Sequence, residues 1–142
     1  MAVTITRYSS YNQHVHSGTI ALNNTGNVKL ALVTSSYTFS AAHTIWADAS
    51  TEEVATGDGY TTGGAALGSL SVTTTKWDAA DVTWSSLTKT FRGGILYIDA
   101  TVNTIVKPMI AYILFNDAPA DTDIGGVDFT VQWHADGIIT FA

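Results

Sequence analysis

Turn-forming residues divide this chain into apolar segments that are too short for ordinary helices. Gly, Pro, Asn and Asp recur between these segments roughly every ten residues, which is typical of β-hairpins and sandwich strands. In residues 128–134, Phe129, Val131 and Trp133 alternate with polar residues, as in a strand with one buried face. Four segments carry most of the signal: residues 28–33, 95–99, 109–115 and 128–134.

These segments predict an all-β fold, an antiparallel, jelly-roll-like β-sandwich of about eight strands. Residues 109–115 are apolar throughout, which favours a strand buried on both faces. Ser50 and Glu53 have the spacing of a capping box and predict one short helical turn near residues 51–55. We expect residues 28–142 to form a single domain and residues 1–27, which are polar, to form an extended arm or edge strand.

Composition limits the classes of partner. The chain is 46% hydrophobic and only 13% charged, and a surface so poor in charge fits either lasting contact with other proteins or an ordinary β domain with a polar, uncharged exterior. A net charge of −6 disfavours nucleic acid, whose binding depends on Lys and Arg. The chain has no Cys, and its apolar runs fall far short of a membrane span. Residues 1–7 lack the features of a signal peptide, so we expect a soluble protein made in a cytoplasm.

Two groups of side chains could bind a metal ion. His14 and His16 would share one face of a strand, but a third ligand is missing nearby, so surface histidines are favoured. Asp117, Asp121 and Asp123 lie in one loop and could bind calcium, yet their spacing is not that of an EF-hand. We therefore predict no metal and no cofactor.

No motif predicts catalysis. The glycine-rich stretch at residues 57–64 lacks the ending of a P-loop and is better explained by a tight loop. Asp78 and Asp81 fit an ordinary turn, and the adjacent Glu52 and Glu53 would be splayed apart on an extended chain. An enzyme would need a pocket whose titratable groups have displaced pKa values, and the sequence reveals no such set.

Aromatic residues leave a sugar-binding function open. Trp84 and Trp133 lie on the apolar faces of their strands, so we expect both in the core. Trp46 and Trp77 fall in predicted loops and are the plausible members of a sugar-binding platform. A carbohydrate-binding module is therefore one alternative function.

Five stretches of the chain carry a likeness to a known class of protein. In order, these are residues 32–37, 57–64, 81–84, 108–115 and 129–138. Together the pattern resembles small structural proteins of tailed-phage virions, and in particular the β-sandwich decoration (cement) proteins of phage capsids. It covers roughly residues 28–140 and contains no catalytic signature.

The resemblance implies a non-enzymatic protein on the outer capsid surface that binds the major capsid protein, stabilises the shell and forms homotrimers. A protein of the tail or a fibre is the other alternative. We expect the arm at residues 2–18 to contact the capsid or a neighbouring subunit. The candidate contact residues are aromatic or histidine side chains: Tyr8, Tyr11, His14, His16, Trp46 and Trp77.

Overall fold

The computed structural model describes residues 3–21, 27–116 and 120–141, and it confirms the all-β, sandwich-like fold. It contains one helix, α1 (Ser9–His16), and short 3-10 turns at Trp46–Asp48 and Ser50–Glu52. The strands in these residues are β1 (Thr4–Arg7), β2 (Val28–Val33), β3 (Ala65–Ala66), β4 (Ser71–Val72), β5 (Lys76–Asp78), β6 (Val82–Phe91), β7 (Gly93–Ile98), β8 (Thr101–Val102), β9 (Ile105–Val106), β10 (Met109–Leu114), β11 (Thr122–Val131) and β12 (Ile139–Thr140).

The largest sheet has five antiparallel strands in the order β1-β10-β7-β2-β3. Its middle strand, β7, is buried at every residue, and β10 is buried at all but its last residue. This is the pattern expected of a strand covered on both faces, and it confirms the prediction made for residues 109–115. The opposite edges of the sheet are β1 and the very short β3.

One face of this sheet packs against the long antiparallel ribbon of β6 and β11. Leu30, Leu96 and Ile113 of the sheet join Trp84 and Leu87 of the ribbon in the larger of two apolar clusters. The small sheet β12-β5-β4 adds Trp77 to the same cluster, while β8 and β9 form a separate hairpin. This arrangement is the sandwich.

The other face of the five-stranded sheet is covered by irregular chain between β2 and the 3-10 turns. Tyr37, Trp46 and Ala49 form a second cluster there with sheet residues such as Ile95 and Tyr97. Trp46 and Tyr97 stack with ring centroids 4.6 Å apart and an interplanar angle of 8°. Aromatic packing of this kind lets a segment without regular structure close a core.

Several local predictions differ from the structure. The turn-like polar residues at 85–87 suggest a break in the strand, but residues 82–91 form one continuous strand, β6, in which Ser86 takes a positive φ of 51°. The two adjacent glycines at 93 and 94 suggest an interruption before the strand at 95–99, but Gly93 and Gly94 begin β7, where they pair with β10 and β2. The helical turn lies at Ser50–Glu52, and Ala49 precedes it without a side-chain cap, so the predicted capping box does not form.

The arm predicted for residues 1–27 is only partly extended. β1 is an edge strand, which was one of the two predicted alternatives, but the chain then continues into helix α1. Tyr8, Tyr11 and Ile20 are buried in the two apolar clusters and hold this segment on the sandwich. Residues 1–2 and 22–26 of the predicted arm lie outside the described residues.

Candidate interaction surface at the open edge of the sandwich

Strand β1 is the most exposed part of the main sheet. All four of its residues are exposed, although its neighbour β10 is almost wholly buried. Val3, just before the strand, keeps 55% of its surface accessible and Ile5 keeps 37%. Val3 and Ile5 are therefore apolar side chains that the sandwich has not covered.

An open apolar groove of about 390 Å³ lies beside β1, between the two layers of the sandwich. Its walls come from β1, from the end of β10 and from the end of β11. The described apolar side chains that line it are Val3, Ile5, Ile113, Phe115, Phe129, Val131 and Trp133. We name this feature the edge groove.

A cluster of packed aromatic rings forms the base of the edge groove. Phe115 and Phe129 meet edge to face, with centroids 5.5 Å apart and an interplanar angle of 89°. Both also contact Phe91, which is fully buried. These ring contacts order the base of the groove, and an ordered, concave apolar surface is typical of binding sites.

Trp133 is pinned at one end of the groove by two hydrogen bonds. Its indole Nε1–H donates to the Ala80 carbonyl at 3.0 Å, and its backbone N–H donates to Asp81 Oδ1 at 3.0 Å. Trp133 is only partly buried, whereas Trp84 is buried as predicted. The prediction of a core position for Trp133 is thus half right, because one part of the ring forms the groove wall.

The groove is suited to binding and offers little for acid–base chemistry. Its described polar lining comprises hydroxyl, amide and imidazole groups: Thr122, Thr130, Gln132 and His134. Among these lining residues His134 is the sole titratable side chain, and it is exposed and lies 3.2 Å from Asp136. A nonpolar partner segment with a few hydrogen-bonding groups would match this lining.

Trp46 and Trp77 do not form a surface platform. Trp77 lies within β5, not in the predicted turn, and it is fully buried; Trp46 is buried against Tyr97. Both predictions placed these residues in loops because the surrounding polar residues outweighed a single aromatic residue in the pattern. The two indoles are therefore not available to sugars or to a partner protein in the folded chain.

Tyr8 and Tyr11 are also buried, so the arm does not present them to solvent. The Tyr8 hydroxyl lies 2.8 Å from that of Tyr37, which in turn lies 2.8 Å from His43 Nδ1. These bonds join the N-terminal segment to the loop that covers the second cluster. Partner contact by the two tyrosines would require this segment to leave the sandwich.

His14 and His16 lie in helix α1, not on a strand, so they do not share one face. His14 is half-buried, while His16 is exposed and uses Nδ1 to contact the Asn12 carbonyl at 2.6 Å. The described residues contain no group of three or more side chains that could bind a metal. The pair therefore offers at most a surface contact.

Of the predicted calcium loop, Asp117 lies outside the described residues. Asp121 pairs with Arg92 Nε at 3.0 Å, and Asp123 accepts a hydrogen bond from the Thr90 hydroxyl at 2.8 Å. Asp123 thus connects β11 to β6, and Asp121, just before β11, pairs with the residue that follows β6. These contacts give them a structural role without an ion.

The glycine-rich stretch at residues 57–64 forms a tight loop, as predicted, in which all four glycines take positive φ, and it packs onto the main sheet. Glu53 Oε1 accepts bonds from the Tyr60 hydroxyl at 2.8 Å and the Gly63 N–H at 2.6 Å. Gly64 has a φ of 80°, and a Cβ at this position would lie 2.1 Å from the Leu30 carbonyl oxygen. Gly64 therefore allows close packing on β2.

Perturbed pKa values in this protein follow the burial of tyrosines and the hydrogen bonds of acidic groups, and they do not mark a reactive pocket. All six tyrosines are buried, and desolvation raises the pKa of each, to about 12 for Tyr11. Hydrogen bonds from the backbone N–H groups of Thr44 and Ile45 hold the pKa of Asp48 below its usual range. These groups lie apart from the edge groove.

Comparison with known proteins adds no assignment, because no family model, curated protein or solved structure matches this chain. The resemblance to phage virion proteins thus stays a prediction. Among the described residues, no helix combines the length and apolar character needed to cross a membrane. The edge groove was not predicted from the sequence. The short alternation of Val3 and Ile5 was the one sequence feature that indicated an apolar face in this segment.

Proposed function

We propose that this protein is a non-enzymatic decoration subunit of a bacteriophage capsid, which binds the major capsid protein on the outer surface and stabilises the shell. The observation that supports the proposal best is the edge groove, an ordered, concave apolar surface beside an exposed strand. An uncovered apolar groove with a polar rim is a common feature of protein interaction sites. The phage setting comes from the sequence resemblance alone.

The partner that fits the groove is an extended apolar segment of the capsid protein. Val3 and Ile5 would be covered by such a segment, and the rings of Phe115 and Phe129 would form its base. The segment would lie over β1, where the ribbon of β6 and β11 does not reach. Burial of these side chains would contribute about 25 cal/mol for each Å² of apolar surface removed from water.

Stabilisation of the shell follows from mass action. A subunit that binds the assembled capsid and not its free components shifts the equilibrium toward the assembled form. Many copies multiply a small gain at each site. The sparse charge of the chain helps, since few ionised groups need to lose water in the contact. The homotrimer implied by the resemblance remains a prediction.

A binding assay with capsids that lack this protein tests the groove. We expect the double variant with Val3→Asp and Ile5→Asp to co-sediment with capsids at least about tenfold more weakly than the natural chain, a loss of about 1.4 kcal/mol or more. The matched control carries Val72→Asp and Val106→Asp, two side chains of similar exposure outside the groove. This control should bind as the natural chain does.

Undiminished binding by the groove variant would exclude the groove as the contact. Failure of the natural, folded chain to bind any capsid would exclude decoration and favour the tail or fibre alternative. The carbohydrate-binding alternative lost its proposed platform, because Trp46 and Trp77 are buried. Binding of glycans to the folded protein would therefore have to use other residues.

A further inference from the structure

The two edges of the five-stranded sheet are protected to different degrees. At one edge, β3 has only two residues and the packed glycine-rich loop leads into it. At the other edge, β1 has four residues in regular register with β10 and carries no Pro, Lys or acidic residue. Natural sheets usually blunt a free edge with such residues, with bulges or by shortness. β1 shows none of these protections apart from Arg7 at its end.

The second free edge near the groove, that of β11, is protected. Its register with β6 shifts twice, between Gly125 and Val127 and between Val127 and Phe129. Gly126 takes a φ of 76° there, and Asp123 and Asp128 add negative charge along the strand. Bulges and charges of this kind hinder the addition of another strand. The comparison therefore selects β1 as the edge that can accept a strand.

The backbone of β1 is oriented for such pairing. The Tyr8 N–H donates to the Ile110 carbonyl at 3.1 Å, which continues the register that places Thr6 opposite Tyr112. In an antiparallel ladder, alternate residues direct their N–H and C=O groups to the same side. Thr4 and Thr6 therefore bond to β10, while the polar groups of Ile5 and Arg7 face the free edge.

Charge makes β1 compatible with a second copy of itself. The chain has a net charge of −6, yet its first 47 residues contain no Asp or Glu, and the first acid is Asp48. Two copies of an acidic protein would repel each other through most surfaces, but not through this segment. The one charge in β1, Arg7, would stand opposite Val3 of the second copy if the strands crossed at Ile5.

We infer that the protein self-associates by antiparallel pairing of β1 with β1 of a second copy, around a two-fold axis at Ile5. Ile5 would face Ile5 of the second copy, and Thr4 would face Thr6. The aliphatic stem of Arg7 would cover Val3, which is now exposed. Such an isologous contact closes on itself after two copies, so it yields a dimer and not a filament.

The pairing would make one sheet continue through both copies and bring their two edge grooves side by side. This inference does not depend on the proposed capsid role, because it concerns the isolated protein. It also differs from the homotrimer that the sequence resemblance implies. Three-fold association would need another surface, so the number of copies in solution distinguishes the two.

Charge substitutions at Ile5 test the contact. On the two-fold axis, Ile5→Lys or Ile5→Glu places two like charges directly opposite each other, which is destabilising. We expect sedimentation equilibrium to give a dimer for the natural chain and at least about tenfold weaker association for each variant alone. An equimolar mixture of the two variants should form the dimer again, since the paired charges are then opposite. Val106→Lys and Val106→Glu, on the exposed β9, are the matched controls and should remain dimeric.

Recovery in the mixture shows that each variant is folded and that Ile5 meets Ile5 of the second copy. A natural chain that sediments as one copy or as three copies would overturn the inference. Dimers that persist in each Ile5 variant would also overturn it. If a mixture of folded variants stays monomeric, the two-fold axis does not lie at Ile5 and the proposed register is wrong.

Discussion

Strands β7 and β1 belong to the same sheet but have opposite surroundings. Every residue of β7 is buried, between the β6–β11 ribbon on one face and the cluster around Trp46 on the other. Every residue of β1 is exposed, although it keeps a full register with β10. The same backbone pairing thus supports a closed core in one place and an open edge in another.

The difference separates side chains whose burial stabilises the fold from side chains whose burial would stabilise a complex. In the closed region, apolar side chains have already lost contact with water, so changing them should alter stability. At the open edge, Val3 and Ile5 still contact water, so changing them should alter association. Four predictions test this division and are given in order of decreasing effect.

Trp77→Ala should cause the largest loss. Trp77 is fully buried and its removal would leave a large cavity, at a cost of about 3–5 kcal/mol in the free energy of unfolding. Its Nε1 has no hydrogen-bond partner in the described part of the chain. Trp77→Phe should cost clearly less than Trp77→Ala, because both variants remove the unsatisfied polar group but Phe leaves a much smaller cavity. Urea unfolding measures both, and equal costs would contradict the described environment.

Ile95→Ala and Ile5→Ala remove the same atoms from the two regions. Ile95 in β7 is fully buried, so we expect its variant to lose about 2–5 kcal/mol of unfolding free energy. A chemically identical change at Ile5, which keeps 37% of its surface accessible, should cost the monomer clearly less, about 1 kcal/mol. Denaturant unfolding at protein concentrations too low for self-association gives the unfolding free energy of each monomeric variant. Similar costs at both positions would show that β1 is not an open edge.

Alkaline pH should unfold the closed region. Burial raises the pKa of all six tyrosines, so their neutral form is favoured in the folded state. The stability they contribute is complete below pH 10 or so, the pKa of an unfolded tyrosine, and is lost as the pH rises through the folded pKa. We expect phenolate absorbance and loss of circular dichroism to rise together above this pH. Early ionisation of a folded chain would contradict the burial.

Tyr11→Phe should weaken this pH dependence. The pKa of Tyr11 is about 12, so between roughly pH 10 and 12 this residue contributes a slope of about 1.4 kcal/mol per pH unit. The variant should lose that part of the slope in denaturant unfolding at fixed pH values. An unchanged slope would show that Tyr11 is accessible to solvent.

The sequence predicted the closed region better than the open edge. The hydrophobic pattern of long apolar or alternating segments such as Met109–Leu114 fits a buried strand, so these strands could be recognised. Tyr8 and Tyr11 were misplaced because a polar segment hid the two side chains that fix it to the core. Trp77 was misplaced for the same reason, as a lone aromatic in a polar stretch. The edge groove depends on which strands end early, and a local pattern cannot contain that information.

The most direct test is a cryo-electron microscopy map of capsids that lack this protein, after it has been added. We expect regular extra density on the outer capsid surface, with Val3, Ile5 and Phe129 turned toward the capsid protein. Bare shells, under conditions in which the protein is folded, would contradict the decoration function. Ordered density whose edge groove faces solvent would retain decoration but contradict the proposed contact.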